Sequence, residues 1–151
     1  MKISPIASSR VAEILLVEDN EDDVYLIREA FDEASLRVSL HHVDNGEKCM
    51  RFLRRQGDYA NAPSPDLILL DMNMPVMDGY EVMTEIVKDE KLRHLPVVVL
   101  TTSYEAADIQ KMYGLRCSSY ITKPVDFDNF VKAIGQLAGY WLTVVVVPEP
   151  R

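Results

Sequence analysis

Short apolar runs alternate along this chain with longer stretches whose apolar residues recur at every third or fourth position. Glu13-Ile-Leu-Leu-Val17, Asp66-Leu-Ile-Leu-Leu70 and Pro96-Val-Val-Val-Leu100 are near-continuous apolar runs of strand length, the pattern of strands buried on both faces. The proline is tolerable because it opens its run. Arg37-Val-Ser-Leu-His-His-Val43 alternates instead, which predicts a half-exposed edge strand. Ser119-Tyr-Ile-Thr122 predicts a short last strand.

The intervening stretches predict helices. Val24, Ile27 and Phe31 share one face behind a capping Asn20 and first-turn acids that run to Asp23. Asp44-Asn-Gly-Glu47 has capping-box spacing ahead of a helix that buries Cys49 or Met50, Phe52 and Leu53. Tyr80 to Val87 forms a third helix. Thr102-Ser-Tyr-Glu105 opens a fourth, which Gly114 would stop in the left-handed conformation. Asp126 opens a fifth, with Phe127, Phe130, Ile134, Leu137 and Trp141 as its apolar stripe. Five β–α pairs in strict alternation imply a doubly wound α/β fold: a five-stranded parallel sheet, flavodoxin-like order 2-1-3-4-5, with helices on both faces. One domain is expected over residues 12–142, between a flexible amino-terminal arm (1–11) and a carboxyl-terminal tail (143–151). The β-branched run Thr143-Val-Val-Val-Val147 is expected to be buried, either paired as a strand or covering a partner.

Composition narrows the class. The 151 residues, 48% hydrophobic and 26% charged, suit one soluble globular domain and exclude a disordered or fibrous chain. Uninterrupted apolar runs such as Val144 to Val147 fall far short of the ~20 residues of a spanning helix, so no membrane role is expected. The opening MKISPIASSR lacks the apolar core of a signal peptide. Cys49 and Cys117 form no C-x-x-C motif and read as reduced thiols of a cytoplasmic protein. A net charge of −8, with no basic stripe, argues against direct nucleic-acid binding. A cation, a phosphoryl donor or a signalling partner fits this balance better.

In a doubly wound sheet, ligands bind beyond the carboxyl ends of the strands. Glu18 and Asp19 follow the first strand, Asp71 the third, Thr101 ends the fourth, and Thr122-Lys123-Pro124 follows the fifth. Two carboxylates ~4 Å apart repel by roughly 4 kcal/mol at an effective dielectric near 20. A hard divalent cation relieves that, and oxygen ligands completed by water and phosphate suit Mg²⁺. Lys123 could then meet a phosphoryl oxygen as a point charge and Thr101 as a hydroxyl donor, leaving Asp71 as a nucleophile toward phosphorus.

Val17-Glu18-Asp19-Asn20, Leu70-Asp71-Met-Asn-Met-Pro-Val-Met-Asp78-Gly79, Val99-Leu100-Thr101-Thr102 and Tyr120-Ile-Thr-Lys123-Pro124 occur in order and at spacings that resemble the receiver domain of two-component response regulators, over about residues 12–142. The run Ile-Leu-Leu-Val-Glu-Asp-Asn, the long loop Gly57 to Pro65 and Leu-Thr-Thr-Ser are most similar to the Rcp-type single-domain receivers paired with cyanobacterial phytochrome histidine kinases. The resemblance implies Asp71 as phosphoacceptor and Mg²⁺ on Asp19, Asp71 and the Asn73 backbone carbonyl, with Glu18 acting mostly through water. It implies Thr101 and Tyr120 as a switch pair, Lys123 as a phosphoryl contact and a cis Lys123–Pro124 bond. A histidine kinase would supply the phosphoryl group, and a downstream protein would receive the signal by contact. Self-phosphotransfer and slow autodephosphorylation are then the only chemistry. Glu18 departs from the aspartate of many receivers, and Thr102 is bulkier than the small residue often found there.

Two other classes compete. A phosphohydrolase of the haloacid-dehalogenase type also uses an aspartate nucleophile, but wants an acid two residues on, where this chain has Asn73. A flavodoxin would need a hydroxyl- and glycine-rich loop where Glu18-Asp19-Asn20-Glu21-Asp22 stands. Glu21 to Asp23 read as an ordinary acidic helix start. His41 and His42, on opposite faces of a strand, read with His94 as ordinary, and Lys48, Arg51, Arg54 and Arg55 as a solvated face. Leu26 and Ala30 on the first helix, with Val131, Ala138 and Leu142 on the fifth, look like spare apolar surface, so a homodimer is expected.

Overall fold

The structure, a computed structural model, describes residues 3–5, 11–33, 37–101, 106–122, 127–140 and 146–148. In chain order the elements are β1 (Ile3–Pro5), β2 (Ala12–Val17), α1 (Glu21–Glu33), β3 (Val38–Val43), α2 (Gly46–Arg54), β4 (Leu67–Leu70), α3 (Gly79–Lys88), β5 (Val97–Thr101), α4 (Ala106–Gly114), β6 (Ser119–Thr122), α5 (Phe127–Gly139) and β7 (Val146–Pro148). The main sheet is parallel, in the order β3-β2-β4-β5-β6. Val17 lies opposite both Val43 and Leu70, so β2, β3 and β4 end at one level.

The apolar runs are continuous because each strand feeds two cores. Leu15, Val17, Ile68, Leu70, Val97 and Val99 point to the side packed by α2, α3 and α4. Ile14, Leu16, Leu67, Leu69, Val98 and Leu100 point to the side packed by α1 and α5. Consecutive strand residues face opposite ways, so burial on both faces leaves no polar position to interrupt the run. On α2, Cys49, Met50, Phe52 and Leu53 are all buried. Asp66 is only 3% exposed at the entry to β4; its carboxylate accepts the Glu13 N–H at 2.7 Å and ties the starts of β2 and β4 together.

Three local expectations are corrected. Asn45, not Asp44, caps α2: its side chain accepts the Lys48 N–H at 2.9 Å. Asp44 instead pairs with the Lys48 ammonium at 2.8 Å, and that hydrogen bond holds its carboxyl below the usual value. The capping box lies at α3, between Asp78 and Glu81. Gly114 does not supply the left-handed stop of α4; Arg116 does, at φ 64°, while the Cys117 N–H reaches back to the Met112 carbonyl. Arg55 ends α2 in the same way at φ 55°. Side-chain chemistry gave no sign of either, because the helix-end hydrogen bonds outweigh the modest cost of that conformation.

The amino-terminal arm is not wholly loose: Ile3–Pro5 pairs antiparallel with Val146–Pro148 of the valine-rich tail, Ile3 opposite Pro148. The apolar surplus expected on α1 and α5 is partly spent inside the molecule. Ala30 is fully buried, and Leu26 and Val131 pack against the same core. Arg54 is no mere solvated charge, since it bridges α2 to α3 through Glu85 at 3.2 Å and Asp89 at 3.4 Å.

Candidate functional site: an acidic rim at the strand ends

The sheet ladder runs one residue beyond each of two neighbouring strands and thereby sets the acids. The Glu18 N–H donates to the Val43 carbonyl at 3.1 Å, and the Asp71 N–H donates to the Val17 carbonyl at 3.0 Å. Glu18 is 1% exposed and Asp71 7%, while Asp19 faces solvent. One carboxylate oxygen from each of Glu18, Asp19 and Asp71 lies within 4.8 Å of the other two. At that separation each pair of charges repels by roughly 3 kcal/mol at an effective dielectric near 20. An all-oxygen donor set that is part buried and part open fits a hard divalent cation.

Asn20 joins this rim to the next helix. Its N–H donates to Glu18 Oε2 at 3.3 Å, and its side-chain oxygen accepts the Asp23 N–H at 3.1 Å as the cap of α1. Glu21 and Asp22 are exposed in the first helical turn, outside the three-acid group, as an ordinary acidic helix start would be.

The loop leaving Asp71 is held at several points. Met72 and Met74 are buried in the core, the Gly79 N–H donates to the Met72 carbonyl at 2.9 Å, and the Gly46 N–H donates to the Met77 carbonyl at 3.1 Å. Both glycines are required by close approach. A Cβ on Gly79 would lie 2.5 Å from the Asp71 carbonyl oxygen, and one on Gly46 would lie 2.4 Å from that of Met77. Between these pins, Val76 has φ 69° and is 73% exposed, inside a tight turn closed by the Met77 N–H on the Pro75 carbonyl at 2.7 Å. A β-branched residue is strained there. Asn73 is exposed on the same loop.

Of the residues singled out from sequence, Glu18, Asp19 and Asp71 come together. Thr101 ends β5 opposite Thr122, and Tyr120 lies on β6 opposite Val99. Their side chains, together with Thr102, Lys123 and the Lys123–Pro124 bond, lie outside the described part of the structure. Sequence reasoning did not anticipate the contacts that three residues make at this rim. Gly46 and Gly79 brace the loop, and only the Asp78-Gly79 pair, a cap followed by a glycine, hinted at it. The third is His42, whose Nε2 lies 2.7 Å from the Glu18 carbonyl oxygen. Its neighbour His41 points elsewhere, to Glu13 at 2.6 Å.

A parallel doubly wound sheet with a three-acid rim at the carboxyl ends of adjacent strands is the architecture of a receiver domain, and comparison with known proteins agrees. Residues 14–135 match the response regulator receiver domain, and the chain belongs to that family. It is therefore a two-component signalling receiver with a flavodoxin-like α/β fold. It is 39% identical over 135 residues to Response regulator Rcp1 of Synechocystis sp., covering 89% of this chain and 92% of that one. The crystal structure of the phosphorylated cyanobacterial phytochrome response regulator RcpA matches with a TM-score of 0.89 and 40% identity, covering 93% of this chain and 100% of that one. Mn²⁺-bound Rcp1 matches with a TM-score of 0.86 and 38% identity, over 91% and 99% of the two chains. Phytochrome-associated response regulators are thus homologues of this chain, as the narrower resemblance implied. These homologues are response regulators, not metabolic enzymes in the usual sense. No helix among the described residues is long and apolar enough to cross a membrane.

Proposed function

We propose that Asp71 accepts a phosphoryl group from the phosphohistidine of a histidine kinase of the phytochrome type, and that the modified chain changes its contacts with a downstream protein. The observation that carries this reading is the convergence of Glu18, Asp19 and the largely buried Asp71 within 4.8 Å at adjacent strand ends. An Asp71 carboxylate oxygen attacks phosphorus, the P–N bond breaks, and the imidazole nitrogen keeps the bonding pair and takes a proton from water. Asp19, Asp71 and the Asn73 carbonyl are the direct holders of Mg²⁺ in this reading, with Glu18 acting through water; the Mn²⁺ bound to the relative Rcp1 supports a divalent ion here. When bound, Mg²⁺ supplies positive charge to the transferring phosphoryl oxygens. Lys123 contributes a second positive charge, and Thr101 and Tyr120 report the modification to the face formed by α4, β6 and α5.

Mass spectrometry after treatment with acetyl phosphate and Mg²⁺ tests the core of the proposal. Wild type gains one phosphoryl group and Asp71→Asn gains none; equal labelling of the two would refute it. Self-association is a further part of this reading. With Ala30 buried, the described part of its surface comprises half-buried Leu26 and Val131 with exposed Tyr25 and Tyr140, while the side chains of Ala138 and Leu142 lie outside the described part of the structure. Light scattering that returns a monomer mass at micromolar concentration would remove it.

A further inference from the structure

The geometry points to His42 as a positioning residue for the metal-binding turn, an inference that rests on the cation reading of the acidic rim. The turn from β2 to α1 is three residues long, Glu18 to Asn20, and carries two of the three clustered acids. Its amino side is fixed by the ladder bond from the Glu18 N–H to the Val43 carbonyl. Its next backbone group, the Glu18 carbonyl, lies 2.7 Å from His42 Nε2, across from the neighbouring strand β3. A carbonyl can only accept, so Nε2 carries the hydrogen and donates it.

That carbonyl belongs to the peptide plane that joins Glu18 to Asp19. Fixing the plane fixes where the Asp19 side chain starts. The need for such a clamp follows from the charges: three carboxylates drawn within 4.8 Å push one another apart, and Asp19, exposed on a short turn, is the member freest to swing out. His42 opposes that swing before any cation arrives, so binding need not reorder the turn. Edge-strand periodicity says nothing of this, because what matters is the register that sets His42 opposite Leu16, one residue short of the strand end.

Mn²⁺ titration followed by electron paramagnetic resonance, with the full chain and thermal unfolding measured alongside, tests the clamp. His42→Leu removes the donor and should weaken Mn²⁺ by about tenfold, the low end of the loss when an outer hydrogen-bond partner of a metal site is removed. His42→Gln can still donate an amide N–H to the carbonyl and should recover most of the affinity. If His42→Leu does not fold, His42→Asn, polar but too short to reach, takes its place. Wild-type affinity in the donor-lacking variant overturns the proposal even if its melting temperature falls, and so does a Gln variant as weak as the Leu variant. Asp19→Asn is the separate check on the underlying reading: if it binds Mn²⁺ as wild type does, the cation site itself fails, whatever His42 does.

Discussion

Gly79→Ala should damage both the fold and the labelling of Asp71, and the size of the damage can be worked from contacts. The added Cβ would lie 2.5 Å from the Asp71 carbonyl oxygen, 2.8 Å from Met72 Cα and 3.2 Å from the Asp71 carbonyl carbon. Ordinary carbon contacts begin at ~3.5 Å, so relief requires a shift of roughly 1 Å. Every one of those atoms is backbone. The Asp71 N–H is bound to the Val17 carbonyl and the Met72 carbonyl to the Gly79 N–H, so no flexible side chain can yield. Overpacking costs about 1–3 kcal/mol in general, and a backbone neighbour puts this case near the top of that range. Loss of glycine's freedom in the unfolded chain returns about 0.4–1 kcal/mol. A net loss of about 2 kcal/mol lowers the melting temperature of a chain this size by roughly 4–8 °C. Gly114→Ala is the matched control: its Cβ meets nothing within 4 Å and its φ is not positive, so stability should rise by about 0.4–1 kcal/mol. Thermal unfolding by circular dichroism and the rate of acetyl phosphate labelling are the readouts. Only Gly79→Ala should slow labelling, because the displaced backbone carries Asp71. A Gly79→Ala protein as stable as wild type, and labelled as fast, would refute the reasoning.

Further expectations concern other elements. Val76→Gly should gain up to about 1 kcal/mol, because left-handed backbone costs an L-residue about 1–2 kcal/mol and glycine gives back part of that in entropy; Val76→Ala keeps its Cβ and should show no comparable gain in denaturant midpoint. Asp78→Ala removes the acceptor of the Glu81 N–H, 2.9 Å away, and should cost about 1 kcal/mol in urea titration, with Asp78→Ser recovering most of it. Burial pushes the Cys49 thiol up from 9.0 to about 12, so it should resist alkylation at pH 8 until the chain unfolds. Because the folded protein holds that proton more tightly than the unfolded chain, its contribution to stability is complete below pH 9. It declines as pH rises from 9 toward about 12, which unfolding titrations across that window would detect.

Sequence by itself determined the α/β class, a parallel sheet flanked by helices, and the family. Burial of a strand on both faces demands an unbroken apolar run, a helix on one face demands spaced apolar residues, and both patterns are local enough to read directly. The acids were legible for a related reason: Glu18, Asp19 and Asp71 each follow an apolar run at once, and strand ends on a parallel sheet converge. What only the tertiary structure decided depends on distances between segments far apart in the chain. Asn45 rather than Asp44 caps α2, and Arg116 rather than Gly114 turns left-handed, because helix ends are chosen by the hydrogen bonds available in place. Ile3–Pro5 finds Val146–Pro148, and Ala30 goes into the core between α1 and α5, through packing that composition cannot announce. Gly79 is needed because of the Asp71 backbone, and His42 reaches the Glu18 carbonyl because of the β2–β3 register. Residue type sets what a side chain can donate, accept or bury, whereas the partner it meets is fixed only when the sheet closes and the strand ends come level.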